Sequence, residues 1–288
     1  MWLDKNTLKL LRIPFSFLLM PLFLFAFSQA EAINISTTFF SFVIIHLLVY
    51  PASNGYNSYI DKDETPIGGL EKPPLPTKSL FYLTLFLDAL ALFLSVIFVN
   101  TLFAVCVLLY ILASRAYSSK QIRLKKYPFV GFLTVVFFQG AFTYYMASVG
   151  ISNHVIKINK TELILLLGCS FQIAGAYPLT QIYQHEADLK DGVVTLSYRL
   201  GYIGTFAFTA IMFLICNVCY FFYFNEINWL KSFYIIQVFF LPIIGYFAYW
   251  LWLVLKDKSN ANFKNTMCMN LIAASCMNAC FFVLCFIK

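Results

Sequence analysis

The chain has 288 residues, 61% of them hydrophobic and 11% charged, with a mean hydropathy of +0.77. Soluble domains are about 45–50% apolar and about 25% charged, so this composition excludes a soluble enzyme, a disordered chain and collagen-like or disulfide-built scaffolds. The formal net charge of +7 comes from Lys and Arg scattered between apolar runs, which reads as a topology signal and excludes a nucleic-acid partner.

A spanning helix needs about 20 apolar residues, and the runs here are continuous rather than alternating, which favours helices over barrel strands. Nine are predicted: Leu10–Ser28, Thr37–Ser53, Ser79–Val99, Thr101–Tyr117, Phe129–Val149, Glu162–Tyr183, Tyr202–Phe224, Ser232–Leu255 and Met267–Ile287. The first run is too long for a signal-peptide core and is expected to remain as a helix of the mature protein. The fold class is therefore an all-α polytopic membrane protein with nine transmembrane helices, forming one membrane domain over residues 1–288.

With the N-terminus in the cytoplasm, sixteen of the twenty Lys and Arg fall in cytoplasmic segments and only Lys157, Lys160, Lys231 and Lys288 on the other side. The positive-inside rule thus supports nine spans with the C-terminus outside. A compact chain without a transit peptide predicts the bacterial inner membrane. The eight Cys all fall in predicted helices and read as small packing residues, including the Cys216/Cys219 pair.

Acids are scarce and cluster twice, at the ends of the second and sixth helices. His46, Tyr50, Asn54, Asn57 and Asp61 are spaced to form one stripe down the second helix. Tyr177, Gln181, Gln184 and Asp188 are spaced likewise on the sixth. A polar stripe facing lipid is costly, so both should face the bundle interior. The clusters sit four helices apart and open on the same side. This suggests two four-helix halves, about 1–127 and 128–288, the second carrying the added ninth helix.

Asp and Asn are hard oxygen ligands that suit Mg²⁺ shared with phosphate. The basic loop Arg115–Lys126 lies on the same side, and carboxylates beside Arg and Lys form a diphosphate clamp. Apolar helices above such a clamp suit an isoprenoid tail. Of the other polar residues, Asp88 is expected either to serve function or to contact Gln139 or Gln172. His46 is expected to hydrogen-bond a neighbouring helix, and His185 to lie on the surface.

These residues resemble the UbiA superfamily of intramembrane prenyltransferases. Asn57-Ser-Tyr-Ile-Asp61 resembles its first motif, and Glu71-Lys-Pro-Pro-Leu-Pro76 the segment downstream. Asp188-Leu-Lys-Asp-Gly192 with Arg199-Leu-Gly201 resembles the end of its second motif, and Tyr117-Ser with Arg123-Leu-Lys125 the loop after the fourth helix. Thr65 and Gln184 stand where the family usually has Asp, and fewer charged ligands hold Mg²⁺ more weakly.

The resemblance implies transfer of a prenyl group from an allylic prenyl diphosphate to an acceptor in the bilayer, with Mg²⁺ as cofactor. It implies catalytic roles for Asp61 and Asp188, and metal-diphosphate holding by Asn57, Asp61 and Asp188 with Gln184 and Asp63. Diphosphate binding is implied for Tyr117, Arg123 and Lys125. The acceptor is usually an electron-rich ring, as in quinone biosynthesis; relatives use aromatic acids, porphyrins or glycerol phosphates, and the residues do not choose among them. Two alternatives carry the same helices: a transporter, whose polar groups sit near the bilayer midplane, and a non-catalytic family member that binds lipid or quinone.

Overall fold

The computed structural model describes residues 4–287; Lys288, one of the four basic residues assigned to the outer side, lies outside them. Among the described residues there is no β-strand, and nine helices are long and apolar enough to cross a membrane. They run Lys5–Gln29, Ile35–Asp61, Lys78–Phe98, Thr101–Ser118, Pro128–Ser152, Lys160–Thr180, Leu196–Glu226, Leu230–Lys256 and Phe263–Leu284.

Side-chain caps set many of the starts. Asn34, Asn100, Asn159 and Asn262 each accept a hydrogen bond from the backbone N–H three residues on, and Thr195 does the same for the seventh span. Such caps satisfy donors that a helix leaves open at its N-terminus.

Three spans depart from regular helix where the cavities lie. The first breaks at Arg12, which has φ 50° and precedes a 3₁₀ turn over Ile13–Phe15 containing Pro14. The second carries a π-helical segment, Ile44–Val49, just before Pro51. Pro removes one backbone donor, and a π turn absorbs the resulting register change. The fifth carries another, Phe137–Phe142, where Gly140 lies against the sixth span. A Cβ on Gly140 would come within 2.7 Å of the Ser170 Cα, so only glycine permits this approach.

Aromatic packing joins the ends of the chain. Phe25 stacks on Phe281 with centroids 4.3 Å apart and meets the edge of Tyr220 at 5.2 Å. All three side chains are fully buried.

Several expectations need correction. Asp88 pairs not with a glutamine but with Arg115 of the fourth span, Nε to Oδ2 3.0 Å, and the guanidinium also lies 3.9 Å from the Tyr56 ring centroid. Arg115 is thus part of the helix bundle rather than of the basic loop. His46 is buried against Phe23, Phe42 and Tyr50, and neither ring nitrogen has a hydrogen-bond partner. His185 is buried, not exposed: Nε2 lies 2.8 Å from Ser197 Oγ and the ring stacks on Tyr202.

Breaking a buried ion pair strands the remaining charge, at about 3–5 kcal/mol. Asp88→Ala is therefore expected to lower thermal stability in detergent by about that amount. Asp88→Ala with Arg115→Leu should recover most of the loss, which separates stranded charge from lost packing.

Candidate active site

The second span continues eight residues past its expected end at Ser53, because Asn54, Asn57 and Asp61 turn toward a cavity rather than toward lipid. The sixth span ends at Thr180, just after Pro178. The chain then turns over residues 181–184 and restarts as a short helix, His185–Lys190, that carries Asp188. The expected stripe from Tyr177 to Asp188 is therefore broken at Gln181. His185 anchors the restart through Ser197 and Tyr202.

These two ends meet at one cavity of about 240 Å³. Asn57, Asp61 and Asp63 line it from one side, Gln184 and Asp188 from the other, and Tyr117 and Lys125 come from the fourth span and the loop beyond. The Lys125 ammonium pairs with Asp61, and Arg123, outside the lining, pairs with Asp191. Ser118 Oγ donates to Asn57 Oδ1 at 2.7 Å, and the Tyr117 and Tyr177 hydroxyls are hydrogen-bonded to each other. Gln184 Nε2 donates to Pro66 O at 3.2 Å. Glu186, two residues before Asp188, is exposed and outside the lining.

Of the other lining residues, Arg12 and Tyr183 were not predicted as part of the site, whereas Gln181 lies on the predicted stripe and Asp191 in the second motif. Arg12 is buried at the break in the first span, where Nη1 donates to Gly68 O at 3.1 Å and Nη2 to Asn54 O at 3.2 Å. Its place inside the first helix, just before Ile13-Pro14, was the available signal. Asp191 follows Asp188 by one helical turn. Tyr183 and Gln181 complete the wall.

The acids crowd one another. Burial pushes the Asp188 carboxyl up to about 7, with repulsion from Asp63, Asp61 and Asp191 adding and Lys125 opposing. Burial and then the Asp61 charge push Asp63 up to about 6 against Lys125 and Arg12. Both shifts have the sign of an acidic pocket short of positive charge.

Asp61 Oδ1 and Gln181 Oε1 are buried without a partner. Among the described residues no three His, Cys, Asp or Glu side chains stand close enough to form a metal cage alone. This pattern fits Mg²⁺, which usually takes one or two carboxylates and completes its shell with water and substrate phosphate. The cavity at one end of the helical membrane bundle is lined by both acids and bases and adjoins a second, mostly apolar cavity.

Comparison with known proteins gives the family. The sequence matches the UbiA prenyltransferase family over residues 18–272; the chain belongs to that family. No curated protein matches in sequence. Among solved structures, a UbiA homologue from Archaeoglobus fulgidus bound to GPP and Mg²⁺ is 17% identical with a TM-score of 0.70, covering 98% of this chain and 100% of its own. A UbiA homologue from Aeropyrum pernix K1 is 14% identical with a TM-score of 0.68, covering 96% of this chain and 98% of its own. A digeranylgeranylglyceryl phosphate synthase structure is 19% identical with a TM-score of 0.62, covering 99% of each chain. At these identities the likeness establishes a shared fold.

Proposed function

We propose that the protein transfers a prenyl group from an allylic prenyl diphosphate to an acceptor, an electron-rich ring, within the membrane. The observation that carries this reading is the convergence of Asp61 and Asp188 on one cavity beside Arg12 and Lys125. The Archaeoglobus fulgidus homologue bound to GPP and Mg²⁺ supports the same ligands here.

In this reading Asp61, Asp188 and Asn57 hold Mg²⁺, with Gln184 and Asp63 as further oxygen donors. When bound, the ion neutralises charge building on the departing diphosphate. Lys125, Arg123 and Tyr117 hold the diphosphate oxygens. The allylic C–O bond breaks with its electron pair passing to the diphosphate, the acceptor's pair forms the new bond to carbon, and the proton lost from the acceptor passes to the leaving diphosphate. The apolar walls keep water from the allylic cation, and ring faces stabilise it.

In this reading the mouth of the cavity faces the cytoplasm of a bacterial inner membrane, an orientation that the Lys and Arg distribution supports. We read the bundle as two four-helix halves plus a ninth helix, with one motif helix in each half. The clustering of the cavity's acids at one end of the bundle favours this function over transport.

The test is protein reconstituted in lipid nanodiscs with labelled prenyl diphosphates, Mg²⁺ and an extract of candidate acceptors, followed by mass spectrometry. A prenylated lipid product and matching diphosphate release are expected. Binding without any diphosphate release would instead support the non-catalytic alternative.

The raised carboxyls predict a pH dependence. Below about pH 7 Asp188 carries a proton that Mg²⁺ must displace. Apparent Mg²⁺ affinity should therefore fall about tenfold between pH 8 and pH 6, with proton release on binding. Calorimetry in two buffers of different ionisation enthalpy measures both.

A further inference from the structure

Asn57 and Asp61 line the cavity because the second span turns them inward, and that orientation is set earlier in the same helix. In its π-helical segment, Ile44–Val49, the Tyr50 N–H donates to Ile45 O rather than to His46 O. The N–H next in line for His46 O belongs to residue 51, which is Pro51 and has none. Ser16 of the first span supplies the missing donor. Its Oγ–H donates to His46 O at 2.7 Å, and both residues are buried. The π-helical segment of the fifth span draws its donor from its own helix, where Thr143 Oγ1 donates to Phe138 O at 2.7 Å.

Ser16 is itself held. It follows the break at Arg12 and the 3₁₀ turn Ile13–Phe15, and the next carbonyl, Phe17 O, accepts from Asn278 Nδ2 of the ninth span at 3.1 Å. The broken turn of the first span therefore reaches the second span twice, through Ser16 at His46 O and through Arg12 at Asn54 O.

Backbone accounting shows what the Ser16 contact decides. In a regular α-helix the Tyr50 N–H would serve His46 O, Pro51 would leave Leu47 O without a donor, and the Ser16 hydroxyl would be idle. The π form frees one carbonyl more, and Ser16 serves it. Without the hydroxyl the regular form gains by one buried hydrogen bond, and such a bond is costly to leave unmade. The two forms differ by one residue of register, which is about 100° of helix rotation. In the regular form Tyr56 and Ile60 would stand near the places of Asn57 and Asp61, and the ligand face would leave the cavity.

Resting on the proposed prenyl transfer, we infer that Ser16 is a positioning residue for that site. Its hydroxyl holds the second span in the π register and so keeps Asn57 and Asp61 turned into the cavity.

A cross-link reads the register without any ligand. Ser53 Oγ and Ser114 Oγ lie 2.5 Å apart across the second and fourth spans. Ser53→Cys with Ser114→Cys should therefore form a disulfide on oxidation with copper phenanthroline, identified by mass spectrometry of the linked peptides. Adding Ser16→Ala should slow this cross-link several-fold. In the parent chain Ser16→Ala should weaken Mg²⁺-dependent binding of geranyl diphosphate to nanodisc-embedded protein to a similar degree. Ser16→Thr keeps the hydroxyl and should retain both.

Pro51→Ala separates register from support. The new N–H completes the regular helix, so this variant should melt no lower than the parent, yet cross-link more slowly and bind more weakly. Ser16→Ala should then add little. Unchanged cross-linking and binding in Ser16→Ala overturn the inference, whatever happens to its melting temperature, since Ser16 would then be support only. Pro51→Ala that restores either readout in the Ser16→Ala background overturns it too. Failure of geranyl diphosphate to bind the parent with Mg²⁺ would sink the transferase reading instead, and the cross-link would still report the register.

Discussion

Asp61→Ala and Asp188→Ala should each lower prenyl diphosphate turnover by about 10³-fold or more. The melting temperature of Asp188→Ala should change little, while Asp61→Ala, which strands the Lys125 ammonium, should also melt lower. The magnitude follows from what the carboxylates do in the proposed site. The carboxylates act through the cation they would hold: preorganised positive charge facing a developing anion is commonly worth about 10²–10³-fold per group, and loss of either carboxylate weakens the hold on the metal that supplies it. Asp61 Oδ1 is buried with no partner and is free for a metal ion, while its other oxygen pairs with Lys125. Asp188 has little reserve around it, because Gln184 on the same turn supplies a carbonyl oxygen without charge. Asp63→Ala should cost far less. Diphosphate release assays on the three variants check this order.

Lys125→Ala should produce two effects of opposite sign. The Lys125 ammonium pairs with Asp61 in a nearly closed setting, with side-chain exposures of 12% and 6%. It stands where a divalent ion would compete for the same carboxylate. Removing it frees Asp61, so the variant should bind Mg²⁺ alone more tightly than the parent. It also removes a donor for the diphosphate, so turnover should fall about 10²-fold. A residue that merely stabilised the loop would weaken both. Lys125→Arg keeps the charge and should retain most of the turnover. Mg²⁺ titration by calorimetry alongside steady-state rates separates the two accounts.

The bundle was legible in the sequence because a lipid-facing helix must be apolar over its whole length, and nine such runs are hard to mistake. The motif ends were less legible for the same reason. Hydropathy fades at Ser53, yet the helix runs on to Asp61 because its polar residues face a cavity and lean on Ser114 and Ser118 of the fourth span. On the sixth span the periodic reading ran on past Thr180, where the helix ends two residues after Pro178 and the backbone turns before restarting at His185. Arg115 and Asp88 were misplaced because pairing across two spans depends on depth, which spacing along one chain does not carry. Arg12 was counted only as a cytoplasmic charge; its burial depends on a local backbone break that places it between Asn54 and Gly68.

The central claim is that two helix ends, carrying Asp61 and Asp188, grip one metal-bridged diphosphate. Its most direct test is equilibrium binding of geranyl diphosphate to nanodisc-embedded protein, with and without Mg²⁺, in the parent and in both alanine variants. Saturable binding that needs Mg²⁺, is abolished by chelation and is lost in either variant is the predicted result. Binding that is indifferent to Mg²⁺ and unchanged in both variants would contradict the claim.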